Sequence, residues 1–382
     1  MNIRKYITAK KRRKALETHL GITLSNIGVY SFDENQASTK NCENFLGAVQ
    51  VPLGIAGPLF FRETKKEIYV PLATTEGALI ASVQRGCKAI QEAGGVRVQT
   101  EYVGITRAPA FAVEGIAMGF DLQTWVRGHL QELHAVVQKT SSHLRLLGAE
   151  SFPLGKTVFV RFAFDSKDAM GMNMATIATD AMVLFIEQQT GARCITISSN
   201  MCVDKKPNFL NFISGRGHKV WAEITIPKMA VKKVLKTSVD EFVYASEKKL
   251  YQGSLLAGTI GANAQMANTL AAVFLATGQD MGHVGECSMG ITTVEKQGKD
   301  LYVSIYLPDL IIGTVGGGTM LATQKEALRI LGIEGGDAGE NAKNLARSIA
   351  GIVLAGEISL LASLAEGSLA RAHRTLGRGE KV

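Results

Sequence analysis

The stretch "SSNMCVDKKPNF", residues 198–209, places Asp204, Lys205 and Lys206 directly before Pro207, with Ser198, Ser199 and Asn200 just upstream. A two-lysine run is ordinarily solvated surface, because Lys is rarely buried without a partner. A lysine in a loop stiffened by proline can also be a fixed cation, worth most beside an oxyanion in a dry site. Three other ionisable residues stand alone in apolar surroundings: Glu76, Asp280 in "TGQDMG" and His373 near the C-terminus. Each taken singly reads as structural. A carboxyl group near an apolar helix start can also have a raised pKa and serve as a general acid.

Two glycine-containing stretches could face a phosphate. "DAMGMNM", 168–174, follows a strand pattern and opens a helix, so Asp168 can cap the helix and Gly171 can admit a ligand near its N-terminus. The plainer reading is a methionine stripe in a core. "GTVGGGT", 313–319, exposes backbone N–H groups to an anion or is simply a strand-to-helix turn. "PLGKT" at 153–157 imitates a phosphate loop, but Gly148 is wrongly spaced and a strand follows where a helix should begin. No GxGxxG fingerprint occurs.

Composition narrows the class. Of the 382 residues 46% are hydrophobic and 20% charged, which is globular, with length for two or three domains. The net charge is +8, yet beyond "KKRRK" at 10–14 the basic residues are scattered and aromatics are only 7%. That argues against nucleic acid and suits a polyanionic small ligand. Five cysteines without CxxC spacing argue against disulfides and zinc, and for a reducing, cytoplasmic setting. No signal peptide is expected. The apolar stretches 254–279 and 349–365 are broken by Asn263, Gln265, Asn268 and Glu357, and read as buried helices.

The elements that must position these residues follow from periodicity. A basic helix is expected at 8–20, closed by Gly21, and an amphipathic helix at 76–93, stopped by Gly94-Gly95. Between 96 and 197 strands at "VRVQTEYVGI", "RAPAFAVEGI", "KTVFVRFAF" and "RCITIS" alternate with helices near 121–140 and 172–189. Two helices among short strands suggest a split βαβ module. A strand at "KVWAEITI", a central helix near 255–278, the hairpin "MGITTVEKQGKDLYVSIYL" and a terminal helix follow.

Taken in order, "ENFLG", "TTEGAL", "RGC", "DAMGMNM", "DKKP", "GQD", "GTVGGGT" and "AHR" resemble the catalytic domain of 3-hydroxy-3-methylglutaryl-CoA (HMG-CoA) reductases, class I branch, over roughly residues 40–375. The resemblance implies a mixed α+β and α/β fold. An N-terminal helical region (1–42) would precede a large substrate-binding and dimerisation domain (43–107 and 209–382) with a long central helix. An inserted ferredoxin-like nucleotide domain (108–197) and a catalytic loop (198–208) would complete it. It implies two hydride transfers from NADPH, with NADH a weaker cofactor and no metal, turning HMG-CoA into mevalonate and CoA. Lys205 would stabilise the oxyanion, Glu76 would donate a proton, Asp280 would bond both, and His373 would protonate the departing thiolate.

Ser82 and Arg85 would lie near CoA. Arg107, Ser198, Asn200, Asp204, Lys206, Lys249 and Asn268 would hold the HMG portion. Ser141, Asp168, Gly171, Met172, Asn173, Val315, Gly316, Gly317, Gly318, Thr319 and Arg378 would line the nucleotide site. Family members are homodimers or homotetramers without nucleic acid. Ser142 stands where the class I pattern has an arginine for the cofactor's 2′-phosphate, Gln265 where eukaryotic members have a histidine, and Gly379 where those have a phosphorylated serine. The rival readings are NAD-dependent mevalonate oxidation on the same fold and an acyl-CoA transferase using Lys205 or a cysteine. A basic nucleic-acid binder is the third.

Overall fold

A computed structural model of the chain describes residues 5–372 and 374; His373, Arg378 and Gly379 lie outside these residues. The described residues form ten strands: β1 (Leu53–Phe60), β2 (Glu67–Ala73), β3 (Arg97–Arg107), β4 (Ala110–Ala112), β5 (Arg145–Leu154), β6 (Thr157–Asp165), β7 (Arg193–Thr196), β8 (Arg216–Ile226), β9 (Ile291–Gln297) and β10 (Asp300–Leu310). β1 and β2 form an antiparallel pair. The rest make one sheet in the order β7-β4-β6-β3-β8-β10-β9, with β5 beside β6. β3 is the joint: Arg97–Gly104 pairs with β8, and Ile105–Arg107 pairs with β6.

Beyond that joint, β4, two helices (Ile116–Gly128 and Leu130–Thr140), β5, β6, the Met172–Thr190 helix and β7 run in sequence, and their strands order as β7-β4-β6-β5. This is split βαβ connectivity. The helix expected at 121–140 is two helices that meet at His129, after Gly128. β5 escaped periodicity because it is an edge strand with one fully buried residue in ten, Leu146. "PLGKT" is the β5–β6 hairpin turn, with Gly155 at φ 59°.

The core is organised by the Glu340–Glu366 helix, whose apolar window is long enough to cross a membrane but is 83% buried within the protein. It packs on the Leu79–Glu92 helix at glycine contacts. A Cβ on Gly86 would overlap the Ala355 carbonyl, and one on Gly351 would press Leu59 Cδ2 at 2.8 Å. The helix expected at 255–278 is shorter, Met266–Thr277, preceded by a four-residue Ser254–Ala257 turn. Its break has a visible cause. Buried Glu357 accepts the amides of Ala264 and Gln265 at 2.7 Å each, which fixes 258–265 as a loop and caps the shortened helix from outside.

At the N-terminus the Ala9–Leu20 helix is capped by Thr8 Oγ1, and Gly21 at φ 66° ends it. Arg12 donates to the Phe45 carbonyl at 2.8 Å, and Arg13 to that of Leu46. Two of the five "KKRRK" residues thus tether "ENFLG" and are not available to a polyanion.

Gly86→Ala should destabilise the protein by about 1–3 kcal/mol or more, since the long helix must move away. Gly128→Ala, where an added Cβ meets nothing within 4 Å, should be neutral or up to about 1 kcal/mol stabilising. Denaturant unfolding of both variants checks the contrast.

Candidate active site

The Lys205 loop adopts a costly backbone. Asn200, Val203 and Lys205 all have positive φ (66°, 48° and 63°), which is unfavourable for non-glycine residues and most so for β-branched Val. Buried polar groups impose this shape. Thr106 Oγ1 donates to the Cys202 carbonyl at 2.9 Å, Asn211 Nδ2 to that of Val203 at 3.2 Å, and Lys205 N–H donates to Glu286 Oε2 at 2.6 Å.

Beneath the loop lies a fully buried ion pair, Arg216 Nη1 to Glu286 Oε1 at 2.7 Å. The same guanidinium donates to Asp204 Oδ1 at 2.9 Å and to Thr106 Oγ1 at 2.9 Å. Buried His283 contacts the other Glu286 oxygen through Nδ1 at 3.0 Å. Burial works to raise the Glu286 pKa, but the His283 bond and the Arg216 charge outweigh it and hold the carboxyl down at about 2. The carboxyl of buried Asp309 is pushed well up, by burial and then by the Glu286 charge. Asp204, His283 and Glu286 are close enough to suggest a metal site, but Arg216 already occupies both carboxylates as their counter-cation.

On this base Lys205 Nζ meets Asp280 Oδ2 at 2.7 Å, with both side chains partly open to solvent. Asp280 Oδ1 accepts the Gly282 amide at 2.9 Å. Burial raises the Asp280 pKa, yet the Lys205 bond and that amide prevail and the carboxyl lies below its ordinary value. A fixed ion pair facing solvent can hold an oxyanion and relay a proton to it. Nearby, Arg107 donates to Ser198 Oγ at 3.0 Å and to Thr176 Oγ1 at 2.7 Å. Asn200 is exposed, and Lys206 Nζ turns back to the Asp204 carbonyl at 2.9 Å.

Glu76 is elsewhere. It is exposed and accepts from Asn268 Nδ2 at 3.3 Å, at the start of the Met266–Thr277 helix. Asp280 follows the other end of that helix, and its 12 residues span about 18 Å. Within one chain, therefore, the Asp280–Lys205 bond forms and an Asp280–Glu76 bond does not. Glu76 and Asn268 line a cavity of about 580 Å³ with Ser82, Arg85 and Gln265. Arg85 is tied to the long helix through the Ser359 carbonyl at 2.6 Å and through Ser363, and Ser82 bonds Ser359 Oγ at 3.0 Å. Lys249 is exposed on the Glu247–Gly253 turn and makes no hydrogen bond among the described residues; its charge reaches buried Glu357.

The two glycine stretches converge. Ala169 and Val315 form a parallel β-bridge, and Thr314 N–H donates to the Asp168 carbonyl at 2.7 Å. Gly171, at φ 85°, begins the Met172–Thr190 helix without a side-chain cap, and Asn173 is exposed in its first turn. Gly316 and Gly317 have positive φ and open space on their Cβ side, while Gly318 packs against the Gly278 backbone. Thr319 Oγ1 donates to the Gly316 carbonyl at 2.7 Å. Ser141 Oγ reaches Met174 Sδ at 3.7 Å, so it borders the same helix start.

Two residues expected at this site turn inward. The Asp168 carboxylate, 4% exposed, accepts the amides of Asp337, Gly339 and Ala342 and so caps the long helix. Met172 is buried, with Sδ 3.0 Å from Arg216 Nη2. Sequence reasoning missed Arg216, Glu286, His283, Asn211 and Thr106. The one available signal was a set of charges, "GRGHK" and "GHVGEC", inside otherwise apolar or glycine-rich stretches.

The arrangement sets a solvent-facing lysine–carboxylate pair and a glycine-lined loop with open backbone on connected segments of one fold. Comparison with known proteins extends this. The family model described as Hydroxymethylglutaryl-coenzyme A reductase matches residues 8–378. The chain is 46% identical to the 3-hydroxy-3-methylglutaryl-coenzyme A reductase of Pyrococcus horikoshii, covering 98% of this chain and 94% of that one. It is also 46% identical to the Halobacterium salinarum protein of the same name, over 92% and 88%. A class II 3-hydroxy-3-methylglutaryl-CoA reductase from Streptococcus pneumoniae, solved bound to NADPH, shares the fold with a TM-score of 0.71 at 18% identity, over 95% of this chain and 99% of that one. The chain belongs to the hydroxymethylglutaryl-coenzyme A reductase family of oxidoreductases.

Glu286→Gln should lower stability at pH 7 by about 3–5 kcal/mol, because Arg216 loses its buried counter-charge. With its pKa depressed to about 2 from an ordinary 4.5, Glu286 contributes stability that is present above pH 4.5 and lost as pH falls towards 2. Melting curves across that window should therefore fall more steeply for wild type than for the variant.

Proposed function

We propose that the protein reduces (S)-HMG-CoA to (R)-mevalonate and CoA in two successive hydride transfers, as a step of isoprenoid biosynthesis. The observation that carries this reading is the Lys205–Asp280 ion pair, 2.7 Å long and held on a strained loop. Lys205 Nζ stabilises the oxyanion formed at the thioester carbonyl, and again at the aldehyde. Asp280 keeps that cation in place. Glu76 donates the proton that converts the second oxyanion to an alcohol, and His373 protonates the CoA thiolate. Arg107, Lys206 and Lys249 supply positive charge for the free carboxylate, with Ser198, Asn200, Asp204 and Asn268 around it. Ser82 and Arg85 border the CoA side of the 580 Å³ cavity.

NADPH supplies the hydride when bound. The open amides of Gly316 and Gly317 and the uncapped Met172–Thr190 helix start fit a nucleotide phosphate, with Gly171, Asn173, Val315, Gly318 and Thr319 shaping the cradle. We assign residues 108–197 as the nucleotide domain, 43–107 with 209–382 as the substrate and dimerisation domain, and 198–208 as the catalytic loop between them. Five cysteines, none paired in a disulfide, suit a reducing cytoplasm.

The separation of Glu76 from Asp280 implies that two copies share each site. One copy gives Lys205 and Asp280, and the other gives Glu76 and Asn268. Exposed Val49, Leu53, Leu255 and Leu256 supply apolar surface for such an association. Glu76→Gln and Lys205→Ala should each cost on the order of 10²–10³ in kcat. Unfolded and refolded together, the two inactive variants should recover about a quarter of wild-type activity, since half the dimers are mixed and each mixed dimer keeps one intact site. No recovery would place all the groups in one chain.

Ser142 removes one guanidinium from the 2′-phosphate, while the exposed side chains of Lys139, His143 and Arg145 border that position, and the family resemblance assigns Arg378 to the same phosphate. NADPH should be preferred with measurable NADH use, and Ser142→Arg should sharpen that preference in kcat/KM. A wild type that strongly prefers NADH would favour mevalonate oxidation instead.

A further inference from the structure

His283 is completely buried, and among the described residues its Nε2 has no hydrogen-bond partner. Its other nitrogen, Nδ1, lies 3.0 Å from Glu286 Oε2. That oxygen belongs to an ionised carboxylate and can only accept, so Nδ1 carries a proton. The ring is thereby fixed with Nε2 facing two further carboxylates, 3.7 Å from Asp204 Oδ1 and 3.8 Å from Asp280 Oδ2. The second of these is the same oxygen that binds Lys205 Nζ.

A bare Nε2 lone pair aimed at two carboxylate oxygens would be repulsive, and its burial would leave an unpaired polar atom. The charges around it point the same way. Three carboxylates face the ring or its partner: Asp204, Asp280 and Glu286. Two cations answer them, Arg216 on Asp204 and Glu286, and Lys205 on Asp280. Asp309, the remaining acid packed against Glu286, has its carboxyl pushed well up by burial and supplies no cation to offset the excess. One excess negative charge around a fully buried ring is costly even where Asp204 and Asp280 are partly exposed, and a second proton on the ring removes the excess.

We propose that His283 is a positioning residue for the Lys205–Asp280 pair, held as a doubly protonated imidazolium whose Nε2–H faces the carboxylates of Asp204 and Asp280 at ion-pair distance. It faces the Asp280 oxygen that binds Lys205 and couples the buried Arg216–Glu286 pair to the partly exposed Lys205–Asp280 pair. Losing its charge would leave Asp280 to be neutralised by Lys205 alone and Asp204 by Arg216 alone, so that Lys205 would be bound more tightly to Asp280 and less available to an oxyanion. The kinetic part of this proposal rests on the reductase reading above; the protonation state does not.

Two measurements test it. In full-length protein labelled with 15N at its histidines, the His283 signals, assigned by their loss in His283→Gln, should show both ring nitrogens protonated at neutral pH. A neutral ring in the folded protein would overturn the proposal whatever reaction the enzyme catalyses. In steady-state assays, His283→Gln retains an amide donor for Glu286 but no charge. It should lower kcat for HMG-CoA reduction by about tenfold or more, with KM for both substrates within about twofold, in protein that is still fully folded at the assay temperature although its melting temperature is lowered. An unchanged kcat, or a kcat loss matched by a loss of folded protein, would overturn the positioning role. A wild type inactive towards HMG-CoA would sink the reductase reading while leaving the ring's protonation to be read by NMR.

Discussion

Arg216 and Glu286 form a salt bridge with no solvent exposure on either side chain, and the Lys205 loop is arranged around it. Taking two charges out of water is costly, and such a pair is tolerable only when its remaining hydrogen-bonding capacity is filled. Here Thr106, Asp204, Asn211, His283 and the Lys205 amide fill it. These partners come from four pieces of chain: β3, the 198–208 loop, the Phe209–Ser214 helix and the turn after Gly278. The pair is therefore less a source of net stability than a means of holding four segments in one geometry. Lys205, at φ 63°, is where that constraint reaches the surface.

Glycine shapes the other half of the site by a different route. Gly278 and Gly318 touch backbone to backbone, and a Cβ on Gly313 would overlap the Met170 amide. These approaches bring the Asp168–Met174 segment, the 313–319 loop and the turn leading into Asp280 together. The cradle and the ion pair are thus attached to one another through close-packed backbone, with Asp168 anchoring the assembly to the start of the long helix.

Much of this was legible in sequence and part of it was not. The Lys205 and Asp280 assignments came from motif order, and the structure joins the two residues directly. The hairpin of β9 and β10 and the Met172–Thr190 helix follow from periodicity, because their buried faces repeat regularly. β5 was missed because an exposed edge leaves little alternation to read. The overlong 255–278 helix was an error of composition: the run is apolar enough to be helical, and only Glu357, far away in sequence, supplies the acceptors that hold 258–265 out of the helix. Arg216 and Glu286 were invisible for the same reason. A buried pair 70 residues apart leaves no local pattern. Asp168 and Met172 show the opposite limit, since their motif was recognised but their side chains face the interior.

The proposed reaction comprises two hydride transfers at one thioester. The direct measurement is the ratio of NADPH oxidised to free CoA thiol released during complete turnover of HMG-CoA, followed by absorbance and thiol titration in the same cuvette. Two NADPH consumed for each CoA, with mevalonate as product, is the predicted result. CoA release without NADPH oxidation would contradict it and point to acyl transfer or hydrolysis at the same site.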